Sequence, residues 1–202
     1  MSIAAVVTAN KAAAGDKNDS RFTAAPAASY PAHETNAKVT IGADVYISGD
    51  KVRTAFGKRN PYELGVLPIL IVVQNDSDKA LNLDRIKVEY IPPAGGKVAA
   101  TPASEVRFLN GPNRPEVMVG PAGTPKIRRK KNPLDTWEIE GRAFAAKMIP
   151  PGESVHGFFY FQTGFQRHSK VYLNGIAEAG TGKELFYFEI PLESAEETSP
   201  KH

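Results

Sequence analysis

Alternation of apolar and other residues constrains the fold of this chain more than any other feature of its sequence. Across residues 39–47 every second residue is a valine, isoleucine or alanine, and a similar alternation of Ile86, Val88 and Tyr90 with charged residues recurs across residues 85–91. A period of two places the apolar side chains on one face of a β-strand. The sequence therefore predicts strands that bury one face and expose the other.

Four further segments are predicted to be strands. Residues 66–73 are continuously apolar, which indicates a strand covered on both faces. Pro68 cannot donate a ladder hydrogen bond, so we expect it near the start of this strand, at a sheet edge or at a bulge. The other segments are 155–161, 170–176 and 184–192, and the glycine-containing link between the last two predicts a hairpin. A seventh strand is expected around residues 105–109.

Composition supports many short strands and excludes several kinds of site. The chain has 17 glycines and 16 prolines, which fall mostly between the apolar runs. It has no cysteine, which excludes disulfides, thiolate nucleophiles and cysteine-ligated metals. A net charge of +3 is too small for a nucleic-acid-binding domain, so no nucleic-acid partner is expected. No apolar run approaches the roughly 18 residues that a bilayer requires, so no transmembrane segment is predicted.

The chain is expected to contain one folded domain. Residues 1–37 are aperiodic and rich in small and polar residues, which predicts a disordered N-terminal tail. Residues 38–193 form the predicted β domain, and residues 194–202 a flexible C-terminus. Residues 133–148 fit either a short helix capped by Asn132, which is slightly favoured, or a strand, because alternation also runs through Trp137.

Three segments carry a resemblance to a known kind of domain. Residues 65–78 end a strand in Asn75-Asp-Ser77, residues 81–90 form the next strand, and residues 149–161 place Pro151-Gly152 before an aromatic strand. This order resembles immunoglobulin-like sandwich domains of uncharacterised bacterial envelope proteins. The resemblance implies an antiparallel immunoglobulin-like β-sandwich. Together with the segment 133–148, it predicts a mainly all-β fold with at most one short helix. It also implies a periplasmic or secreted location, but no activity and no functional residues.

Motifs for catalysis or metal binding are weak. Residues 180–183 read Gly-Thr-Gly-Lys, but Glu184 stands where a phosphate-binding loop needs a serine or threonine, and a hairpin turn is favoured. The four histidines lack metal-ligand spacing, and no Gly-x-Ser-x-Gly nucleophile motif occurs. We therefore predict no catalytic residue, no metal site and no cofactor, and expect that the protein is not an enzyme.

The candidate partner-binding site lies in residues 110–132, a stretch without a recognised strand pattern. It combines a short apolar cluster with a basic run, a combination that can anchor and steer an acidic partner. The candidate residues are Val117, Met118, Val119, Arg128, Arg129, Lys130 and Lys131. The sequence thus favours a non-enzymatic structural or protein-interaction module of the bacterial cell envelope, whose partner is another protein or an envelope component.

An alternative function is binding of a carbohydrate or another ligand. Exposed aromatic side chains would carry it, and the candidates are Tyr30, Tyr46, Tyr62 and Trp137. An enzyme comes third, and a cleft holding glutamate and histidine together would favour it. The oligomeric state is left open by the sequence.

Overall fold

The computed structural model describes residues 22–109, 116–119, 125–128 and 132–192, with the two four-residue segments described by their backbone. In chain order the elements are β1 (Ala32–Asn36), β2 (Val39–Val45), α1 (Gly49–Phe56), β3 (Leu67–Asn75), β4 (Leu81–Asn82), β5 (Lys87–Ile91), β6 (Val98–Ala99), α2 (Ala103–Val106), β7 (Glu116–Val119), β8 (Pro125–Arg128), α3 (Trp137–Gly141), β9 (Met148–Ile149), β10 (Ser154–Phe161), β11 (Lys170–Asn174), β12 (Ala177–Glu178) and β13 (Phe188–Pro191). Short 3₁₀ turns lie at Ala27–Ser29 and Tyr62–Leu64.

The strands form three antiparallel sheets and one separate hairpin. The first sheet has the order β1-β2-β3-β10 and the second the order β13-β11-β5-β6. A small third sheet has the order β12-β4-β9, and β7 pairs with β8. The prediction of a mainly β, antiparallel fold is therefore confirmed.

Strand β3 is buried on both faces, as the continuous apolar run predicts. Its odd-numbered residues, Leu67 to Val73, pack in a core with Val88 and Leu173 of the second sheet. Its even-numbered residues Leu70 and Val72 belong to a second cluster on the opposite face. Pro68 is the second residue of the strand, which agrees with a position near the strand start.

The described helices cover the first sheet on the face that points away from the second sheet. The second cluster joins Phe56 of α1, Val106 of α2 and Ile139 of α3 to Phe158 and Tyr160 of β10. The Tyr160 hydroxyl donates a hydrogen bond of 2.7 Å to the Ile139 carbonyl, and burial raises the Tyr160 pKa. This bond links α3 to the sheet. Losing it would leave the buried Tyr160 hydroxyl unpaired, which would reduce the free energy of unfolding.

The expectation of at most one short helix is wrong, since the described residues alone contain three helices. In α1, Val52, Ala55 and Phe56 are buried at the i, i+3, i+4 spacing of a helical face. The helix has only eight residues and lies between β2 and β3, so its helical period is too short to stand out in the sequence. The strand expected around residues 105–109 is also wrong, because α2 and a following turn occupy that segment.

The expected start of the folded domain at Lys38 is wrong for residues 22–37. Strand β1 pairs with β2 over five residues, and Ala27 and Ala32 are buried. A Cβ atom on Gly42 would lie 2.5 Å from the Ala27 carbonyl oxygen, so this glycine permits the close approach of the segment. Small buried alanines give little hydropathy signal. Residues 1–21 and 193–202 lie outside the described residues, so the predictions of tails there stay predictions.

The favoured short helix in residues 133–148 is confirmed as α3, although Thr136 rather than Asn132 occupies its N-cap position. After the helix, the chain pairs with β10 in parallel at Ala143 and Phe158.

The predicted pairing of the last two strands is confirmed, because β11 pairs with β13. The link between them contains β12 instead of a simple turn. The edge strand β13 also contacts β1: the Glu189 backbone N–H donates a 2.7 Å hydrogen bond to the Glu34 carboxylate. This contact joins the first sheet to the second.

Candidate functional site

The predicted partner-binding residues fall in and after a β-hairpin. Val117, Met118 and Val119 lie in β7, and Arg128 ends β8, where it pairs in register with Glu116. The expectation that this stretch has no strand is wrong. The five-residue link between the strands contains Gly120 and Gly123, a hairpin signal that the surrounding prolines obscured. Arg129, Lys130 and Lys131 lie outside the described residues, and the binding role of the whole set stays a prediction.

The hairpin segment leaves and rejoins the fold between two short helices. Helix α2 packs against α3, and the Asn132 side chain donates a hydrogen bond to the Arg107 carbonyl. The Asn132 side-chain oxygen accepts a 3.0 Å hydrogen bond from the Leu134 backbone N–H. Asn132 therefore fixes the return of the chain beside α2 instead of capping a helix.

Two large aromatic side chains are exposed at this place. Phe108 is 69% exposed and Trp137 is 57% exposed. The Arg107 guanidinium lies 5.5 Å from the Phe108 ring centroid, and the Arg142 guanidinium lies 5.9 Å from that of Trp137. The Trp137 ring also lies against Gly141, where a Cβ atom would approach it to 2.6 Å. We call these residues, Phe108, Trp137, Arg107 and Arg142, the hairpin-base surface.

A second candidate site lies on the outer face of the second sheet. In β5 and β11 the residues Val88, Tyr90, Val171 and Leu173 are buried, so their alternate neighbours point outward. A cleft of about 720 Å³ lies on this face, between the strands and the segment before β13. Its lining includes Lys87, Tyr172, Asn174, Phe186 and Tyr187. We call it the sheet-face cleft.

Two aromatic rings of the sheet-face cleft, Tyr172 and Tyr187, stack against each other. The ring centroids of Tyr172 and Tyr187 lie 5.2 Å apart with an interplanar angle of 28°. The Lys97 ammonium lies 4.4 Å from the Tyr172 centroid and 2.7 Å from the Glu89 carboxylate. This ion pair raises the Lys97 pKa. Tyr187 is 54% exposed and Phe186 is 77% exposed, so both rings are accessible to a ligand.

Of the aromatic residues that the sequence proposed for ligand binding, only Trp137 is largely exposed. Tyr46 is buried and packs edge-on against Phe158 at 4.8 Å. The hydroxyls of Tyr30 and Tyr62 accept hydrogen bonds from the backbone N–H groups of Ala25 and Phe165. The sequence missed the pair Tyr172 and Tyr187, although Tyr172 stands at an outward position of an alternating strand.

Histidine does not accompany acidic residues in the sheet-face cleft. Its described lining contains Asp84 and Glu184 but no histidine. Within the part of the chain that the structure describes, no group of three or more histidine, aspartate or glutamate side chains has the arrangement of a metal site.

Asp44 has a perturbed pKa for a structural reason. Burial raises its pKa, and the Lys51 ammonium at 2.5 Å from its Oδ1 atom opposes this shift without cancelling it. The Lys51 ammonium also lies 5.3 Å from the Tyr46 ring centroid. The pair lies between α1 and the first sheet, beside the second apolar cluster.

We expect the raised Asp44 pKa to make the folded state bind its proton more readily than the unfolded state. The contribution of Asp44 to stability therefore grows as the pH falls through the interval between the ordinary aspartate pKa of about 4 and its raised folded value. Relative to D44N, the wild type should gain free energy of unfolding across that interval, as measured by urea titration at pH 3.5 to 7. The matched control D50N changes an exposed aspartate and should show no such gain. A relative loss for the wild type on acidification would contradict the expectation.

Two comparisons with known proteins gave no match. No protein-family model matches the chain, and no curated protein is significantly similar to it. Among the described residues, no helix has the length and apolar character that crossing a membrane requires.

Proposed function

We propose that the protein is a non-enzymatic interaction module of the bacterial cell envelope, and that its hairpin-base surface binds an acidic protein. The proposal includes an immunoglobulin-like β-sandwich as the scaffold and a periplasmic or secreted location. Binding residues are commonly carried by loops and element ends on a rigid scaffold, which is the arrangement here.

The exposed pair Phe108 and Trp137 is the observation that carries this proposal. Each ring lies within about 6 Å of an arginine, and both stand beside the base of the hairpin. Tryptophan and arginine are enriched among the residues that dominate binding energy at protein interfaces. A scattered exposed aromatic needs no explanation, but Phe108 lies in the turn after α2 and Trp137 begins α3, which packs against α2, and this supports one shared binding surface.

Charge indicates the kind of partner. Residues 110–132 contain six basic residues and one acidic residue, a formal charge of 6 − 1 = +5. The whole chain carries +3, so the remainder carries 3 − 5 = −2. Arg107 is already paired with Asp135 and Glu140, at 3.6 Å and 2.9 Å. The formal positive charge of residues 110–132 therefore adds to that of the hairpin-base surface, and it favours an acidic partner surface.

Two sequence features of the resemblance, the Asn-x-Ser end of β3 and the Pro-Gly turn before β10, support the proposed scaffold. Asn75 ends β3 in the Asn-x-Ser sequence, where its side chain holds the following turn. Gly152 lies in the turn before β10 with a φ of 76°, a conformation that favours glycine. Two antiparallel four-stranded sheets packed through a common core agree with a sandwich.

The test replaces the aromatic pair and the basic run separately. A photoreactive group placed near residue 137 should crosslink the full-length protein to one acidic envelope protein, which is then purified. We expect F108A/W137A to weaken the affinity for this partner at least about tenfold. Replacing the four basic residues by serine should lower the association rate constant and reduce its dependence on salt; these residues are Arg128, Arg129, Lys130 and Lys131. The control M148A removes another exposed apolar side chain, in β9 and outside the hairpin-base surface, and should bind normally.

Melting temperatures close to that of the wild type would show that these variants fold. Affinity unchanged in both the aromatic and the basic variants would overturn the proposal. Equal weakening by M148A would show that the contact is non-specific, and would overturn it as well.

A further inference from the structure

The sheet-face cleft lies on a different part of the molecule from the hairpin-base surface and carries a separate inference. The described helices pack on the first sheet, whereas the outward residues of β5 and β11 face this cleft. Tyr172 pairs in register with Glu89, and Asn174 pairs with Lys87. One strand thus supplies an aromatic ring and an amide, and its neighbour supplies an ammonium and a carboxylate.

The charges lining the cleft are balanced. Asp84 and Glu184 contribute two carboxylates, and Arg85 and Lys87 contribute two cations. None of these four groups forms an ion pair with another described residue. Charges that remain unpaired in a shared cleft are available to a ligand as hydrogen-bond donors and acceptors. Because the formal sum is zero, the cleft has no excess cation to attract a phosphate or another strong anion.

The aromatic rings add an apolar surface to this polar lining. Tyr187 is more than half exposed, and its contact with Tyr172 holds the ring on the sheet. The π-face of an aromatic ring is electron-rich, so it attracts the weakly positive C–H groups on the face of a sugar ring. Hydroxyl groups around the sugar ring can donate hydrogen bonds to the carboxylates and accept them from the cations, and the Asn174 amide can do either.

The dimensions indicate more than one sugar unit. The cleft of about 720 Å³ lies within the usual range for ligand sites. An adjoining cleft of about 290 Å³ shares Asp84, Arg85, Gly175 and Glu184 with it. The two clefts are therefore neighbours with a common wall.

We propose that the sheet-face cleft binds a neutral oligosaccharide, with Tyr187 stacking on one sugar ring and the unpaired charged groups bonding its hydroxyls. This site goes beyond the proposed protein interaction and does not depend on it. Lys97 and Tyr172 act as positioning residues, because they hold the Tyr187 ring and do not have to touch the sugar.

Binding is tested on the full-length protein by titration calorimetry with a defined panel. The neutral probes are the hexasaccharides of cellulose, laminarin, mannan, xylan and chitin, and the anionic probes are hexagalacturonate and inorganic phosphate. We expect at least one neutral hexasaccharide to bind and both anions to bind more weakly. No binding of any neutral probe at millimolar concentration, or tighter binding of an anionic probe, would overturn the proposal.

Variants locate the binding in the cleft. Y187A should weaken the bound hexasaccharide at least about tenfold, whereas Y187F keeps the ring and should retain most of the affinity. E184Q and K87A should each weaken binding, because each removes a charged hydrogen-bonding group from the wall. The control M148A should bind as the wild type does. Unchanged affinity in Y187A would place the sugar elsewhere and overturn the assignment, while the test of the hairpin-base surface would stand unaffected.

Discussion

Replacing Gly175 by alanine is expected to destabilise the protein by about 2–5 kcal/mol. Gly175 has a φ of 83°, and a Cβ atom there would lie 2.0 Å from the carbonyl oxygen of Arg85. The left-handed conformation costs a residue with a Cβ atom about 1–2 kcal/mol, and overpacking adds about 1–3 kcal/mol. The backbone of Arg85 cannot swing aside as a side chain would. The free energy of unfolding, measured by urea titration, should therefore fall sharply.

Gly182 provides a matched control for this substitution. It also has a positive φ, 70°, but no atom lies within 4 Å of the position that a Cβ would take. G182A should therefore report the conformational cost alone, about 1–2 kcal/mol. If G175A destabilised the protein no more than G182A does, the close approach between Gly175 and Arg85 would be refuted.

The second large effect is expected at Asn75, where alanine should cost about 3–5 kcal/mol. Asn75 is fully buried at the end of β3. Its Nδ2 atom donates to the carbonyls of Lys79, Pro150 and Ile149, at 2.8, 3.0 and 3.2 Å. Its Oδ1 atom accepts from the backbone N–H and the hydroxyl of Ser77, at 3.1 and 2.6 Å. Alanine would leave several of these buried partners unpaired, which costs more than the bonds themselves contribute.

Substitution of Asn82 provides a control that removes only a local turn hydrogen bond and leaves the long-range network of Asn75 intact. Its Oδ1 atom accepts a 2.8 Å hydrogen bond from the Asp84 backbone N–H in an exposed turn, which resembles the bond from Asn75 to Ser77. N82A should therefore cost less than about 1 kcal/mol. N75D keeps the acceptor but places a carboxylate against three carbonyl oxygens, so it should also be strongly destabilising. Equal melting temperatures for N75A and N82A would contradict the role assigned to the network.

Strands that bury a continuous or alternating apolar face could be predicted from the sequence, because the period itself reports the burial. This holds for β3, where both faces are covered, and for β5, where Val88 and Tyr90 are buried. Short elements could not be predicted in this way. Helix α2 has four residues and only one buried side chain, Val106, so no period is visible. Strand β1 depends on backbone pairing and on one small buried residue, Ala32, which hydropathy does not detect.

The candidate sites were only partly accessible to sequence reasoning. The basic run and the apolar cluster of the hairpin segment could be read directly, but the exposure of Phe108 and Trp137 depends on how two short helices pack. The sheet-face cleft brings together residues 84–87, 172–174 and 184–187, which are distant in sequence. Only the register of β5 with β11 shows that Lys87 and Asn174 are neighbours.

The contact between β1 and β13 has a consequence for the order of folding. The hydrogen bond between Glu34 and Glu189 spans 155 positions of the chain. Contacts between residues so far apart form slowly, because a long loop must close before they contribute. During synthesis, β1 can pair with β2 early, but its contact with the second sheet must wait until residue 189 leaves the ribosome. An exposed strand edge is a template for pairing with other chains, so the nascent protein is most open to aggregation or chaperone binding during that interval.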